Sequence, residues 1–117
     1  MRKNMNLEEC KALLGQNYIG RLSYLSGGHP FIVPITFYYD PDTHSITSYS
    51  SEGHKIQEMR KNTKVCLGVD EIASIANWKS VLVQGTFEEL SRIDAEEAPI
   101  VFRININELT GKLRSRC

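Results

Sequence analysis

Short runs in which apolar and polar side chains alternate, separated by turn-forming residues, dominate this chain from residue 18 onward. A period of two places successive side chains on opposite faces of an extended backbone, so it predicts half-buried β-strands. The predicted strands cover residues 19–25, 31–39, 45–50, 64–70, 80–90 and 100–106. Six short strands in a single domain spanning residues 1–117 favour a closed or nearly closed antiparallel barrel, and hence a mainly β fold.

Glycine and proline residues mark where the predicted strands turn or lose their regular pairing. Residues 26–28, Ser-Gly-Gly, form a turn that accepts positive φ, and residues 40–43 form the next turn. Pro34 lies inside the second strand and has no N–H to donate, so it predicts a sheet edge, a bulge or a place where something other than a neighbouring strand lies alongside. Gly85 in the fifth strand predicts a bulge or a close approach of another segment.

Two short helices accompany the strands. Asn6 and Glu9 have the spacing of a capping box, which predicts a helix that begins after Asn6 and ends at Gly15 in left-handed geometry. Its expected buried face consists of Leu7, Cys10, Leu13 and Leu14. A second helix follows Gly53 and is broken at residues 62–63. Its inward side chains are expected to be Ile56 and Met59, and its outward ones Lys55, Arg60 and Lys61.

Four further segments have weaker patterns. Residues 1–5 are expected to be disordered, and residues 71–77 to form a loop or a partial turn of helix. Residues 92–98 are expected to form a stub of helix before Pro99. Residues 107–112 are expected to turn the chain out into a basic tail.

Charge and cysteine content exclude several classes of function. Lys and Arg total 14 and Asp and Glu total 14, so no net field attracts nucleic acid or an anionic membrane. Cys10, Cys66 and Cys117 have no CxxC spacing, which argues against a disulfide framework or a zinc site and fits a reducing cytoplasm. Cys66 is expected in the core and Cys117 at the surface. Because no apolar run reaches the roughly 18 residues of a membrane span and no signal peptide is recognisable, we expect a soluble cytoplasmic protein.

Residues 50–55, Ser-Ser-Glu-Gly-His-Lys, have the most distinctive local chemistry. A strand gives way there to a helix start, where hydroxyls, unsatisfied backbone N–H groups and Lys55 come together within about one helical turn. One interpretation is a phosphate cradle with Lys55 as its cation. The other is that Ser50 or Ser51 only caps the helix while Lys55 is solvated. His54 is a candidate phosphate donor or proton shuttle, or simply an exposed loop histidine.

The other aromatic and histidine side chains leave alternatives open. Three roles are open for Trp78: it lines the site of a flat ligand, it covers a subunit interface, or it anchors the core. Candidates for lining a groove are Tyr38, Tyr39 and Tyr49. His29 and His44 lie beside turns, where a structural or solvent-exposed role is expected.

Nothing in the sequence resembles a nucleophile–base–acid triad, a paired-carboxylate catalytic site, a P-loop or a GxGxxG fingerprint. The first two would have indicated a reaction that the side chains carry out themselves, and the last two a bound nucleotide. An enzyme built on this chain therefore takes its reactivity from a cofactor.

The order of short motifs along nearly the whole chain matches one superfamily. The motifs occupy residues 20–23, 30–37, 48–50, 53–56, 62–66, 78–85, 102–104 and 109–112. In their order and spacing the chain resembles the pyridoxamine 5′-phosphate oxidase-like superfamily of FMN-binding split β-barrels. The resemblance is greatest to its small flavin-nucleotide-binding members, which include nitroimidazole-resistance proteins. It implies a six-stranded antiparallel split β-barrel with short flanking helices.

The resemblance also implies a cofactor site shared by two chains. FMN would lie in a groove at a homodimer interface, with one strand along its ring and ribityl chain. The residues implied on this strand are Val33, Pro34, Ile35 and Thr36. Those implied around the phosphate are Ser48, Tyr49, His54 and Lys55. Trp78 and Ser80 would lie near the ring, with the partner subunit as one source of them.

Two departures from the superfamily pattern bear on the substrate. True pyridoxamine-phosphate oxidases have an arginine just before the phosphate-binding lysine, where this chain has His54. They also have an arginine-rich C-terminal segment for pyridoxal phosphate, where this chain ends at Cys117. We therefore expect that vitamin B6 phosphate is not the substrate. The short stretch at residues 92–99 implies a pocket that is open or is completed by the partner chain.

Together these patterns predict an FMN-binding flavoprotein that is an oxidoreductase. It would transfer a hydride or electrons at the flavin, between a small-molecule substrate and an electron donor. His54 is the one side chain proposed as a catalytic group. Two alternatives stay open: a non-catalytic flavin-nucleotide carrier or sensor, and a split barrel that binds heme or a deazaflavin.

Overall fold

The computed structural model has a mainly β fold with two short helices, and it describes residues 1–91 and 99–115. Its elements in chain order are β1 (Arg2–Asn4), α1 (Leu7–Gln16), β2 (Ile19–Ser26), β3 (His29–Thr36), β4 (Tyr38–Asp40), β5 (Ser45–Ser50), α2 (His54–Lys61), β6 (Lys64–Ser74), β7 (Asn77–Ser91) and β8 (Ile100–Arg114). Within these residues, eight antiparallel strands form one sheet in the order β3-β2-β6-β7-β8-β5-β4, and β1 pairs with β8. The predicted fold class is confirmed, with eight strands where the sequence pattern indicates six.

The sheet curls so that its two ends approach each other. β3 and β4 follow each other in the chain but lie at opposite ends of the strand order, so the predicted strand 31–39 is divided at Phe37. The buried Phe37 donates its N–H to the Tyr18 carbonyl at 2.8 Å. The Ser48 hydroxyl on β5 donates to the Thr36 carbonyl on β3 at 2.6 Å. Over the described residues the sheet is not closed, and the result is a split-barrel-like fold.

Alternating apolar side chains line the inside of this curled sheet. The largest fully buried ones on the strands include Phe102, Leu22, Ile46, Leu67 and Ile104. The helices add Cys10, Leu13 and Leu14 from α1 and Ile56 and Met59 from α2. Burial raises the pKa of the Cys10 thiol, and the neighbouring Glu9 carboxylate raises it further. Among the described residues, neither helix has the length and apolar character needed to cross a membrane.

Several predictions from local signals are confirmed. Glu9 N–H donates to the Asn6 side chain at 2.8 Å, and the Glu9 carboxylate accepts from Asn6 N–H at 3.1 Å, which completes the capping box. Gly27 and Gly28 have φ of 56° and 79° in the β2–β3 turn. Pro34 lies on β3, an end strand of the sheet, and the β7–β8 register shifts at Gly85.

Three predicted irregular segments are strands in the structure. Residues 2–4 are β1 and not disordered, and Met5 next to them is buried and donates its N–H to the Gly111 carbonyl at 2.8 Å. Residues 71–74 and Asn77 belong to the ends of β6 and β7, which a tight turn at residues 75–76 joins into a hairpin. Residues 107–112 continue β8, which pairs there with both β7 and β1. In each case pairing with another strand overrides a weak local pattern.

Smaller corrections concern single residues. α1 passes through Gly15 to Gln16, and its C-cap is Asn17 in an extended conformation. Leu7 is 51% exposed and not part of the buried face of α1. Cys66 is half-buried and not in the core, because Val65 and Leu67 on either side of it occupy the inward positions of β6. The predictions for residues 92–98 and for Cys117 lie outside the described residues.

Candidate functional site

The start of α2 is not capped by a side chain. Its N-cap is Gly53, with an extended φ of 178° and no side-chain hydrogen bond. The interpretation in which Ser50 or Ser51 caps α2 is therefore wrong; the Ser50 hydroxyl donates to the Ser51 carbonyl at 2.9 Å instead. Because the first amides of a helix have no acceptor within it, N–H groups are available at this point to an external anion.

Lys55 is the cation at this helix start that has no carboxylate partner within the part of the chain that the structure describes. Its side chain is half-buried. The other two cations of α2 are paired: Arg60 contacts Glu52 and Glu89, and Lys61 lies 3.6 Å from Glu58. An anion that approaches the start of α2 therefore meets Lys55 as its nearest unneutralised positive charge on this helix.

His54 joins α2 to the β2–β3 hairpin. Its Nδ1 lies 2.8 Å from the Tyr24 hydroxyl, and its Nε2 lies 3.4 Å from the Ser26 hydroxyl and 3.8 Å from the Glu58 carboxylate. The ring of Phe31 packs edge-on against the imidazole at a centroid distance of 5.1 Å. Both imidazole nitrogens thus contact protein groups, and the sequence patterns gave no indication of Tyr24 or Ser26 as partners.

The four predicted ligands on β3 divide between the two faces of the sheet. Ile35 is buried and Val33 partly buried on the core side, whereas Pro34 and Thr36 are exposed on the outer side. Pro34 lies opposite Arg21 of β2. The outer face of β3 therefore presents Pro34 and Thr36 to a ligand, and the two apolar residues support the strand from inside.

Ser48 and Tyr49 point to opposite faces of β5. Ser48 is buried, and its hydroxyl donates to Thr36 across the opening of the sheet, as described above. Tyr49 is 63% exposed on the outer face. The exposed Tyr38 shares this outer face, whereas Tyr39 is buried with its hydroxyl 3.3 Å from His44. Of the three predicted groove tyrosines, two therefore face solvent.

Trp78 and Ser80 line a cavity of about 670 Å³ on the outer face of β7 and β8. The remaining lining residues are Asn4, Met5, Leu82, Leu109, Thr110, Gly111 and Lys112. Trp78 is partly buried there and is not a core anchor. Most of the other lining residues come from segments that the sequence patterns placed outside the sheet. Gly111 and Leu113 are buried and their neighbours are more exposed. The corresponding alternation of residue type was the sequence signal available for that part of β8.

The predicted site residues form two separate groups within one chain. β3, β5 and the start of α2 carry one group, in which Ser48 of β5 contacts Thr36 of β3, and β7 carries Trp78 and Ser80. β2 and β6 lie between β3 and β7 in the strand order, which corresponds to about 14 Å across the sheet. A ligand that contacts both groups at once within a single chain would have to bridge this distance.

The chain thus combines an open, split-barrel-like β fold with a helix start that has no side-chain cap and, among the described residues, a lysine without a carboxylate partner. The chain belongs to the pyridoxamine 5′-phosphate oxidase family, whose model matches residues 6–110. The match covers most of the described strands and both helices.

Similar proteins support the same assignment. An uncharacterized protein of Rhizobium meliloti is 38% identical over 86 residues, which are 74% of this chain and 56% of that protein. This chain thus spans about half the length of the curated relative that it matches. The crystal structure of a FAD-binding protein from Mesorhizobium loti superposes with a TM-score of 0.88 at 28% identity, over 99% of this chain and 98% of that one. The FAD and heme binding protein of Mycobacterium smegmatis shares the fold, with a TM-score of 0.80 at 16% identity, over 97% of this chain and 74% of that one.

Proposed function

We propose that this protein binds FMN at a site shared by two copies of the chain and acts as an oxidoreductase on a small molecule. The observation that carries the proposal is the uncapped start of α2 beside Lys55. Free helix N–H groups and a half-buried lysine that has no carboxylate partner among the described residues are donors suited to a phosphate monoester. The family and its flavin-binding structural relatives supply the rest of the support.

The residues present fit a flavin nucleotide. Lys55 and the first amides of α2 would hold the phosphate, and the outer face of β3 at Pro34 and Thr36 would lie along the ribityl chain. The cavity at Trp78 and Ser80 has an indole and a hydroxyl on its wall, which suits the flat, amphipathic ring system. When bound, the flavin supplies hydride or electron transfer. The protein contributes position, phosphate anchorage and exclusion of water.

A homodimer is the second part of the proposal. The outer face of the sheet carries several exposed aliphatic side chains, which a second copy of the chain would cover. The exposed aliphatic side chains on this face are Ile19, Leu25, Ile32, Ile72 and Leu82. Dimerisation across it would let Trp78 and Ser80 of one chain approach β3 and α2 of the other, which would bring the two groups of site residues together.

A cytoplasmic location completes the proposal. Cys10 and Cys66 are free thiols, and burial raises the pKa of Cys10. Unpaired thiols persist in a reducing compartment.

Flavin titration tests the proposed cofactor. The purified protein is expected to quench FMN fluorescence stoichiometrically and to retain the visible flavin bands after gel filtration. FAD and riboflavin serve as parallel ligands. Tighter binding of FMN than of riboflavin indicates a contact with the phosphate. Tighter binding of FAD than of FMN would identify FAD as the cofactor. A Soret band in the purified protein would indicate heme instead. Absence of any flavin uptake contradicts the proposal.

The oxidoreductase activity has its own measurement. Under anaerobic conditions, NADH or NADPH is expected to bleach the bound flavin, and a small-molecule acceptor to restore its colour. Tight flavin binding without reduction by either nicotinamide would contradict the proposed nicotinamide-driven turnover and favour a flavin carrier or sensor.

Replacing Ile32 with glutamate is expected to convert the dimer into monomers. Ile32 is 67% exposed on the outer face of β3, so a charge there would be desolvated in the dimer and hydrated in the monomer. Light scattering should give twice the chain mass of 13.3 kDa for the wild type and the chain mass for the variant. Leu7→Glu is the control, since Leu7 is exposed on α1 and away from this face. A monomeric wild type, or a dimeric Ile32→Glu, contradicts the proposed interface.

A further inference from the structure

Arg60 binds two carboxylates that come from different segments of the chain. Its Nη1 and Nη2 donate to the two carboxylate oxygens of Glu52 at 2.6 and 3.1 Å. Its Nη2 and Nε donate to the two oxygens of Glu89 at 2.6 and 3.3 Å. Glu52 lies in the turn before α2, and Glu89 lies on β7. One guanidinium thus ties α2, the preceding turn and the sheet together through two fork-like contacts.

Arg60 is therefore unsuited to hold an anion itself. All three of its guanidinium nitrogens already donate to the carboxylates of Glu52 and Glu89. These contacts raise its pKa, with the hydrogen bond to Glu89 as the largest cause and that to Glu52 next. The guanidinium therefore stays charged throughout the pH range in which proteins are folded.

The turn that Arg60 holds is the one that leads into the anion site. Gly53 gives α2 no side-chain cap, so local capping does not fix where the helix begins. From inside, Ile56 and Met59 anchor α2 to the core. From outside, the contact between Arg60 and Glu52 fixes the residue immediately before Gly53. His54 on the opposite side is held by the Tyr24 hydroxyl.

We infer that Arg60 is a positioning residue for the phosphate site. By fixing Glu52 against α2 and α2 against β7, it keeps the helix-start N–H groups and Lys55 ordered before a ligand arrives. This inference rests on the proposed function, because it assigns Arg60 a role at the FMN phosphate. A site ordered in advance binds more tightly since less conformational freedom is lost on binding.

Comparing FMN with riboflavin isolates this role, because riboflavin lacks the phosphate. Arg60→Ala is expected to weaken FMN binding about tenfold, which corresponds to the cost of ordering one or two side chains on binding. Riboflavin binding is expected to stay within about twofold of the wild type, since it does not use the phosphate site. The ratio of the two dissociation constants is the readout, and a general loss of folding would not change it selectively.

Single carboxamide substitutions keep the test independent of folding. Glu52→Gln weakens the link of Arg60 to the turn, and Glu89→Gln weakens its link to β7. Each substitution is expected to lower the preference for FMN over riboflavin. Lys61→Ala is the matched control on the same helix, because its only paired carboxylate among the described residues is Glu58, outside this clamp. It is expected to leave the preference unchanged.

The outcomes separate this inference from the proposed function. A wild type that binds FMN no better than riboflavin refutes the phosphate site and with it the role of Arg60. A wild type that prefers FMN, together with Arg60, Glu52 and Glu89 variants that keep the full preference, refutes the positioning role alone. Equal weakening of both ligands in these variants also refutes it, because Arg60 would then support the fold in general.

Discussion

Replacing Lys55 with alanine is expected to weaken FMN binding by about 1.5–3 kcal/mol, the usual value of a hydrogen bond to a charged group. This corresponds to an increase of about 10- to 150-fold in the dissociation constant. The physical reason is that Lys55 is the cation of α2 that no carboxylate neutralises within the described residues. Fluorescence titration with FMN measures the effect directly.

Riboflavin is the ligand control for this substitution, and Lys61→Ala is the variant control. Riboflavin affinity is expected to be unchanged in Lys55→Ala, because the ring and ribityl contacts are intact. Lys61 is a surface cation six positions further along α2 that already lies near Glu58, so its removal should affect neither ligand. Raising the salt concentration should reduce the FMN affinity of the wild type more than that of Lys55→Ala, since screening acts on the same charge. Unchanged FMN affinity in Lys55→Ala returns Lys55 to an ordinary surface role.

Features encoded by neighbouring residues were predictable from the sequence. The Asn6–Glu9 capping box needs only four residues, and the Gly27–Gly28 turn needs only two that accept positive φ. Alternation within β5 identified both of its ends correctly. In these places local preference and final structure agree, because the interactions that decide them lie within the segment.

Features decided by distant partners were not predictable in the same way. β1 exists because Arg2–Asn4 pairs with the far end of β8, more than one hundred residues along the chain. Without that partner, Met1–Met5 has no pattern of its own. The same end of β8 provides much of the wall of the cavity at Trp78, so the missed strand and the missed lining residues have one cause.

In the candidate site, too, features encoded by neighbouring residues were predictable and features decided by distant partners were not. The helix start after Gly53 follows from a short local motif and occurs in the structure as expected. The clamp of Arg60 depends on Glu89, 29 positions away, and the contact of His54 depends on Tyr24, 30 positions away. Arg60 was expected only to face outward on its helix. A single sequence gives no information about which distant carboxylate such a side chain meets.

Replacing Gly85 with alanine is expected to destabilise the fold by about 3 kcal/mol, at the upper end of the usual cost of overpacking. A Cβ at this position would lie 2.5 Å from the Asn105 carbonyl oxygen and 2.5 Å from a methyl group of Ile104. The carbonyl belongs to the backbone of β8 and cannot rotate away, so β7 and β8 would have to separate at their register shift. Urea unfolding followed by circular dichroism measures the loss as a lower transition midpoint.

Gly15→Ala is the matched control, because a Cβ there would meet no atom within 4 Å. Gly15 lies inside α1, where alanine is a better helix former by about 0.8–1 kcal/mol, so this variant should be more stable than the wild type. The same substitution is thus expected to change the free energy of unfolding in opposite directions at the two positions. Comparing the two variants therefore cancels any general effect of an added methyl group. A Gly85→Ala variant as stable as the wild type would mean that β7 and β8 can shift apart at low cost. In that case the wall of the cavity at Trp78 and Ser80, which the same two strands form, would be adaptable instead of rigid.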